Sequence, residues 1–293
     1  MLGILGYHAL ALLACLPWLF SWSGLAWAVA GFYIFGTLGI NIGYHRLLTH
    51  RGFACARWLE KFLTILGVCC WQGSPMSWAA IHRMHHQKSD ETEDPHTPLR
   101  NFFWSHMGWF MMYSPSIWNI STYDHYARDL LRDRFIKSFE RTRVWRTVHV
   151  LQWLTFFVAG AALGAFLTSW DWLGSLQMGL SWLVWGVFVR TVAVWHITWS
   201  VNSFTHVWGY RNFNTRDNSR NNWLVGLISN GEGWHNNHHA QPRSASHGMR
   251  WWELDISYLT IRVFQVFGLA WNVVQPHREL GDISDAQNQT VAA

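Results

Sequence analysis

Eight histidines occur in three groups whose spacing is typical of a metal site. Two groups have the pattern His-x-x-His-His, in which the first imidazole lies three and four residues before the others, so all three share one face of a helix. Imidazole nitrogen binds iron, zinc, copper or nickel, so the residue type alone does not select the metal. The groups are His45 and His50, then His82, His85 and His86, and finally His235, His238 and His239.

The first group is spaced differently. His45 and His50 are five residues apart, which places them about 140° apart around a straight α-helix. They can converge only near a helix end or at a bend. A single histidine pair is more often a surface feature than a ligand set, but three groups together favour a metal centre. His96 and His106 flank the second group, and a supporting role or no role stays open for them. No metal role is assigned to His8, His125, His149, His196, His247 or His277.

The composition indicates a protein that contacts lipid. Of the 293 residues, 50% are hydrophobic, only 13% are charged and 23 are Trp. Soluble domains carry about a quarter charged residues, and tryptophan is enriched where a membrane meets water. The net charge of +5 could indicate a nucleic-acid partner. However, no Lys or Arg precedes Arg46 and the later basic residues follow a membrane pattern, so a nucleic-acid partner is not expected. The four cysteines form no Cys-x-x-Cys pair, which argues against a disulfide scaffold or zinc ribbon.

Four stretches are apolar over the roughly 20 residues that a membrane-spanning helix needs. They cover residues 2–22, 25–44, 148–170 and 176–198, and short turns without Lys or Arg join them into two hairpins. Because basic residues favour the cytoplasmic side, the long polar segments and both chain termini are expected in the cytoplasm. All three histidine groups lie in those segments, although the histidines were not used to orient the chain.

These patterns predict an all-α, multi-pass integral membrane protein with four transmembrane helices in two hairpins. A cytoplasmic helical cap, made of residues 45–147 and 199–280, would carry a di-metal site. The tail at 281–293 is polar and expected to be loose. The whole chain, residues 1–293, is predicted to form a single domain.

Two features of the apolar segments stand apart. Residues 57–80 are apolar but interrupted by Gly73 and Pro75, which predicts an interfacial or re-entrant helix. Arg190 lies within the fourth span, where a charge is costly unless it is buried against protein or reaches the surface. The polar sequence that soon follows favours the surface position for Arg190.

The three histidine groups, HRLLTH, HRMHH and HNNHH, resemble the three histidine boxes of the membrane fatty-acid desaturases, and are most similar to those of the delta-9 acyl desaturases. Four further stretches agree with this family. They are DPH at 94–96, FFWSHMGW at 102–109, VNSFTHVWGYR at 201–211 and GEGWHNNHH at 231–239. The resemblance runs from about Gly43 to near Pro276, which is most of the chain.

The resemblance implies a di-iron centre with nine histidine ligands, five on one iron and four on the other, and no bridging carboxylate. Eight ligands are the box histidines, and the ninth is His206, which matches the family's Asn-x-x-x-His segment. Asn202 matches the Asn of that segment, which holds one metal through a water. Glu232, Asp90 and Asp94 lie close to the boxes and are expected to accept the second N–H of metal-bound imidazoles.

The implied activity is dioxygen-dependent desaturation of a saturated acyl chain, giving a cis double bond with delta-9 as the expected position. The acyl chain would be carried on a glycerolipid or on CoA. Animal acyl-CoA desaturases have an Arg-Asp pair where this chain has Ala80 and Ile81, and this departure favours a glycerolipid. A related lipid hydroxylase or other di-iron oxygenase shares the ligands and is the alternative. A metal transporter fits less well, because transporters place ligands within the spans near the bilayer midplane.

The resemblance also implies that electrons come from a separate carrier, either ferredoxin or cytochrome b5 with its reductase. A basic stretch could dock an acidic carrier, although an ordinary solvated helix explains these charges more simply. The stretch contains Arg128, Arg132, Arg134, Lys137, Arg141 and Arg143.

Placing a double bond in a featureless alkyl chain requires a closed tunnel that holds the chain at a fixed depth. Counting back from His45 at α-helical spacing, Tyr33 and Val29 face the same side of the second span. They are expected to form the tunnel floor, unless they serve only in helix packing.

Overall fold

The computed structural model describes residues 2–112, 114 and 120–277. Most of them are helical, and we number the helices in chain order. They are α1 (Leu2–Leu12), α2 (Trp22–Thr49), α3 (Arg57–Val68), α4 (Pro75–Lys88), α5 (Ile120–Tyr126), α6 (Arg128–Leu131), α7 (Arg134–Ser138), α8 (Thr142–Leu167), α9 (Trp172–His206), α10 (Trp223–Ile228), α11 (His235–Ala240) and α12 (Ile256–Val266). A helical turn at Trp104–Gly108 continues as Trp109–Met111. The predicted loose tail at 281–293 lies outside the described residues.

Three helices in the described part of the chain are apolar and long enough to cross a membrane. α2 has 28 residues, α8 has 26 and α9 has 35. They correspond to the apolar segments predicted at 25–44, 148–170 and 176–198, and each begins a few residues before its predicted start. The chain is therefore a mostly helical membrane protein, as its composition predicted.

The segment predicted as a first span at 2–22 has a different form. It consists of the 11-residue helix α1 and two short 3₁₀ turns, Leu13–Cys15 and Pro17–Leu19. Proline has no N–H to donate and its ring clashes with the preceding turn, so a helix does not run through Pro17. α1 alone is shorter than the roughly 20 residues that a straight membrane-spanning helix needs.

Helices α8 and α9 form an antiparallel hairpin, which glycines bring close together. A Cβ at Gly160 would lie 2.8 Å from the Met178 carbonyl oxygen, and one at Gly164 would lie 2.7 Å from the Gly174 carbonyl oxygen. Small residues at such positions allow the backbones of membrane helices to approach each other. Asp171 begins the second helix by accepting the Gly174 N–H at 2.7 Å, which satisfies one of the unpaired donors of the first turn.

The apolar segment at 57–80 forms two helices rather than one. α3 ends at Val68, and the chain turns through Gly73, whose φ of +96° is readily adopted only by glycine. Ser74 then caps α4 by accepting the Ser77 N–H at 3.1 Å, with Pro75 in the first helical position, where its missing N–H costs nothing. The interruption predicted from Gly73 and Pro75 is therefore the junction between α3 and α4.

Arg190 does not reach the surface, so the position favoured from the sequence is wrong. Its side chain is fully buried. Its Nη1 donates to the Cys69 carbonyl at 3.2 Å, and its guanidinium carbon lies 4.2 Å from the centre of the Phe35 ring. The turn after α3 brings a backbone acceptor into the helix bundle, and an acceptor from a distant segment cannot be read from the sequence around Arg190.

A small sheet is the exception to the predicted all-α fold. Strand β1 (Ala54–Cys55) pairs antiparallel with strand β2 (Ala270–Trp271). Further along, the Val274 N–H donates to the Gly52 carbonyl at 2.8 Å. These bonds fix the segment that follows α12 against the segment that follows His50.

Candidate metal centre

The second part of α2, Phe32–Thr49, is a π-helix, in which residue i bonds to residue i+5. Residues five apart therefore lie on the same face. The His50 N–H donates to the His45 carbonyl at 3.1 Å, and the two imidazole rings are 4.8 Å apart. The predicted convergence of these histidines is confirmed, but the wide helical turn produces it and no bend is needed.

α4 directs its three histidines to two different places. The Nε2 atoms of His82 and His86 lie 3.0 Å apart. The His85 ring instead lies 5.2 Å from the ring of His206 and 5.1 Å from that of His239. The three imidazoles of this box, which were predicted to share one helix face, therefore divide between two places, because adjacent residues such as His85 and His86 point about 100° apart around a helix.

The short helix α11 divides its histidines in the same way. The Nε2 of His238 lies 3.0 Å from that of His45. The Nε2 of His235 lies 3.1 Å from that of His206, and the rings of His235 and His239 are 4.3 Å apart. Each His-x-x-His-His helix thus contributes to two separate clusters.

Two histidine clusters result, and they contain all nine histidines predicted as ligands. We call them the five-His cluster and the four-His cluster. Within each, one nitrogen from every imidazole lies within 4.8 Å of all the others. The five-His cluster comprises His45, His50, His82, His86 and His238, and the four-His cluster comprises His85, His206, His235 and His239.

The state of the ring nitrogens fits a pair of metal ions. Burial lowers the pKa of the His82, His86 and His238 imidazoles well below the usual value, and neighbouring imidazoles lower it further. Neutral imidazoles are the form that binds metal. Among the described residues, the buried Nε2 atoms of His50, His85 and His239 have no hydrogen-bond partner. Buried polar atoms without partners are rare, and a metal ion would satisfy them.

Three carboxylates named from the sequence hold the opposite nitrogen of imidazoles in these clusters. The Nδ1 of His45 contacts Glu232 at 2.6 Å, and the Nδ1 of His85 contacts Asp94 at 2.9 Å. The Nδ1 of His206 contacts Asp90 at 3.1 Å. An Nδ1–H donated to a carboxylate leaves the Nε2 lone pair free for metal and fixes the orientation of the ring. Asp90, Asp94 and Glu232 therefore each contact an imidazole of one of the two clusters.

Glu232 is itself held by a buried arginine. Arg46 donates from Nε and Nη2 to one Glu232 oxygen, at 3.1 and 2.8 Å, and from Nη1 to Asp255 at 2.9 Å. Burial alone would raise the pKa of the Glu232 carboxyl, but Arg46 and the adjacent imidazoles outweigh it and hold the pKa below its ordinary value. Glu232 is therefore charged when it accepts the His45 N–H.

Three residues of this site were not assigned from the sequence. Asp217 accepts the Nδ1–H of His239 at 2.7 Å. His247, to which no role was given, lies 3.4 Å from Glu232, and its ring is 4.3 Å from that of His238. His96, whose role was open, has its ring 4.1 Å from that of His85. The only local signal at Asp217 is a turn in which it accepts the N–H two residues later, a pattern too common to indicate a metal site.

His106, the other histidine left open, is in a different place. Its Nδ1 lies 3.0 Å from the Ser203 hydroxyl and its Nε2 lies 3.0 Å from the Nδ1 of His196. It contributes to neither cluster.

An apolar cavity lies against both clusters. His45, His82 and His235 form part of its wall, and Phe32, Gly36, Ile40, Val194 and Ile197 supply apolar surface. A second cavity shares Trp78, His82, Thr198 and Asn202 with the first. Asn202 thus lies beside the clusters, in the walls of both cavities.

Tyr33 and Val29, predicted as the tunnel floor, are not among the residues that line these cavities. Val29 is 68% exposed, and the Tyr33 hydroxyl bonds to Thr260 at 2.7 Å. The prediction assumed α-helical spacing along α2. In the π-helix, residues four or five apart share a face, so the face that carries His45 runs instead through Gly36 and Phe32.

The fold and the two clusters define the class of this protein. It is a helical, histidine-rich membrane protein with a candidate di-metal site beside an apolar cavity. The sequence profile of the fatty acid desaturase family matches residues 17–262. The chain belongs to the fatty acid desaturase family.

Several curated relatives are similar over most of their length. The chain is 43% identical to the sn-1 stearoyl-lipid 9-desaturase of Anabaena variabilis, over 93% of this chain and 92% of that protein. It is 39% identical to the sn-2 palmitoyl-lipid 9-desaturase of Nostoc sp. (strain 36), over 92% and 87%. It is also 36% identical to the acyl-CoA C20 Delta5-desaturase of Anemone leveillei, over 92% and 80%.

Proposed function

We propose that this protein is a dioxygen-dependent fatty acyl desaturase that introduces a cis double bond at the delta-9 position of a saturated acyl chain. The observation that carries the proposal is the contact between the two histidine clusters and an apolar cavity. A cavity walled by Phe, Ile and Val side chains suits an alkyl chain, and it would hold adjacent methylenes at a fixed distance from the clusters. Membership of the desaturase family supports the same reaction.

Two iron ions are the proposed cofactors, held by the nine histidines, with Asn202 contacting one of them through a water. When bound, iron supplies the activation of dioxygen and the removal of hydrogen from the acyl chain. The protein orients the ligands through Glu232, Asp90, Asp94 and Asp217. The donor set is all imidazole nitrogen, which suits iron but also suits copper, nickel and zinc.

The cavity wall carries a short polar network beside His82. Gln72 donates to the Thr198 hydroxyl at 3.0 Å, and the Trp78 indole N–H donates to the Gln72 side-chain oxygen at 3.2 Å. These bonds tie the segment before α4 and α4 itself to α9. They would hold the walls rigid where the acyl chain passes the clusters, so that one pair of methylenes is presented repeatably.

The proposed acyl carrier is a glycerolipid. Ala80 and Ile81 are fully buried or nearly so, and neither can bind a nucleotide phosphate. Two of the relatives described above are named as lipid desaturases and one as an acyl-CoA desaturase, so acyl-CoA is the second candidate carrier.

The proposed topology retains two hairpins. α1 with its 3₁₀ turns would precede α2 in the first, with both α1 and α2 packed against α9, and α8 with α9 forms the second. The histidine clusters and both termini would lie on the cytoplasmic side, because no Lys or Arg occurs before Arg46 or between α8 and α9. The chain would form one domain over residues 1–293. A separate ferredoxin, or cytochrome b5 with its reductase, is the proposed electron donor.

Expression in a host that lacks unsaturated fatty acids tests the activity. We expect new cis monoenes in the membrane lipids, and derivatisation of the double bond should locate it at carbon 9. Separating lipid classes before analysis would show whether the product first appears in glycerolipid or in acyl-CoA. Hydroxy fatty acids without monoenes would contradict the proposal and support a lipid hydroxylase.

A Gly36→Leu substitution is expected to shorten the preferred acyl chain. A Cβ at Gly36 would already lie 3.0 Å from a Val194 methyl, so a larger side chain must extend into the cavity that these residues line. We expect the preferred substrate to become shorter by about two carbons or more, because each lost methylene contact alters discrimination by about 1–3 kcal/mol. Competition between 16- and 18-carbon substrates measures the change.

Gly6→Leu is the matched control, because nothing lies within 4 Å of a Cβ at that position. It should keep the original chain-length preference. An unchanged preference in Gly36→Leu, with normal protein levels, would show that this cavity does not hold the end of the acyl chain.

A further inference from the structure

The proposed reaction needs electrons that its two substrates do not fully supply. Two hydrogens from the acyl chain account for two of the four electrons and two of the four protons that convert O2 to two waters. A donor must therefore deliver two electrons, one at a time if it is a one-electron carrier, and solvent supplies two protons. The donor must dock close to the histidine clusters, and the inference below rests on the proposed function.

We propose that a small acidic one-electron carrier protein docks at a surface recess beside His50. The recess has a volume of about 560 Å³. Leu47 and Leu48, which come just before His50, form part of its wall, and three arginines line it. These arginines are Arg51, Arg57 and Arg243.

The recess is close to the five-His cluster along the chain. His50 is half-buried and the next residue, Arg51, is exposed. Because the two residues are consecutive, their Cα atoms are separated by one peptide unit, about 3.8 Å. A carrier that contacts Arg51 would thus lie one residue away from a histidine of the cluster. Among the described histidines of the two clusters, His50 is the one directly followed by a residue of this recess.

A second connection runs from the recess to α4. Asp129 lines the recess and accepts from Arg83 Nη1 at 2.7 Å. Arg83 follows His82 in α4, and its guanidinium also donates to the carbonyls of Leu48 and Thr49, both at 2.9 Å. Hydrogen bonds and short covalent segments therefore link the recess wall to α2 and α4, two of the three helices that supply the five-His cluster.

The charge around the recess fits an acidic partner. Its three carboxylates balance its three arginines: Arg57 pairs with Glu60 and Asp133, and Arg51 pairs with Asp129. The excess positive charge therefore comes from the surface around the recess. Further basic side chains are exposed in the adjoining segments and, within the described residues, form no ion pair. These are Lys61, Arg132, Arg134 and Lys137. Such a surface attracts an acidic protein and orients it before contact.

The test uses a plant-type ferredoxin as the probe, kept reduced by its reductase and NADPH. The full chain is loaded with iron and assayed for acyl-lipid desaturation in lipid nanodiscs. We expect the Arg57→Glu/Arg243→Glu double variant to raise the KM for ferredoxin by about tenfold or more with kcat changed less than about twofold. Added salt should raise the wild-type KM for ferredoxin and reduce the difference in KM between the variant and the wild type, because salt screens surface charges.

Arg143→Glu is the matched control, since it makes the same change of charge at an exposed position of α8 outside the recess. It should leave the KM for ferredoxin within about twofold of wild type. Iron content, and single-turnover desaturation with dithionite as chemical reductant, should be normal in all variants. If charge reversal disturbs folding, the Arg57→Gln/Arg243→Gln variant should also raise the KM for ferredoxin, but by a smaller factor.

An unchanged KM in the double variants would overturn the recess as the docking site. An equal rise with Arg143→Glu would also overturn it, in favour of a diffuse basic surface. If the wild-type protein fails to desaturate even with dithionite, it is the proposed function that fails.

Discussion

A His238→Ala variant is expected to lose desaturation and to bind one metal ion per chain instead of two. The Nε2 of His238 lies 3.0 Å from that of His45 and 2.9 Å from that of His86, so it occupies the middle of the five-His cluster. The four-His cluster keeps its complete set of imidazoles. Activity should fall by more than about 100-fold, because even residues that only support ligands contribute about 10–100-fold. Iron analysis after reconstitution, together with product formation, measures both effects.

His125→Ala is the control for this experiment. His125 is exposed and belongs to neither cluster, so this variant should retain two iron ions and full activity. Two bound iron ions in the His238→Ala variant would contradict the assignment of His238 to a metal position. Loss of both ions with normal folding would show that the two positions fill only together.

An Asp217→Ala variant is expected to weaken metal binding by about 10–100-fold, although it removes no predicted ligand. The Asp217 carboxylate accepts the His239 Nδ1–H at 2.7 Å. Without it, the neutral imidazole can carry its proton on either nitrogen and can rotate, so the Nε2 lone pair is no longer held toward the four-His cluster. Competition with a chelator measures the affinity, and activity should recover in part when iron is in excess.

Asp171→Ala serves as the matched control for the loss of a carboxylate. Asp171 is exposed and caps α9 by accepting the Gly174 N–H at 2.7 Å. Its loss should lower the free energy of unfolding by about 1 kcal/mol without changing the affinity for iron. If Asp217→Ala and Asp171→Ala bind iron equally well, Asp217 does not hold His239 in position.

Local spacing predicted which histidines come together but not how they divide. The pattern His-x-x-His-His fixes three side chains on one part of a helix, which identified His82, His85 and His86 as a set. Their division between two clusters depends on the helices that face α4, and those are set by tertiary packing. His206 and Asn202 could be placed only through the family, because no spacing near them indicates a ligand.

The sequence is a poor guide to residues whose position depends on an irregular backbone or on a distant segment of the chain. Periodicity arguments assume about 3.6 residues per turn, and α2 departs from that value over Phe32–Thr49. Counting back from His45 at α-helical spacing therefore leads to Tyr33 and Val29, whereas the structure places Phe32 and Gly36 in the wall of the cavity. Arg190 and Asp217 were misjudged or missed because their partners, Cys69 and His239, lie far away in the chain.

The pairing of β1 with β2 has a consequence for biosynthesis. It joins Ala54 to Trp271, and His45 meets His238 across 193 positions of the chain. A ribosome must therefore release nearly the whole polypeptide before either metal position is complete. Metal binding stabilises only a folded site, so stalled or truncated chains would remain in the membrane without iron. The iron content of a preparation would then report the fraction of molecules that were finished.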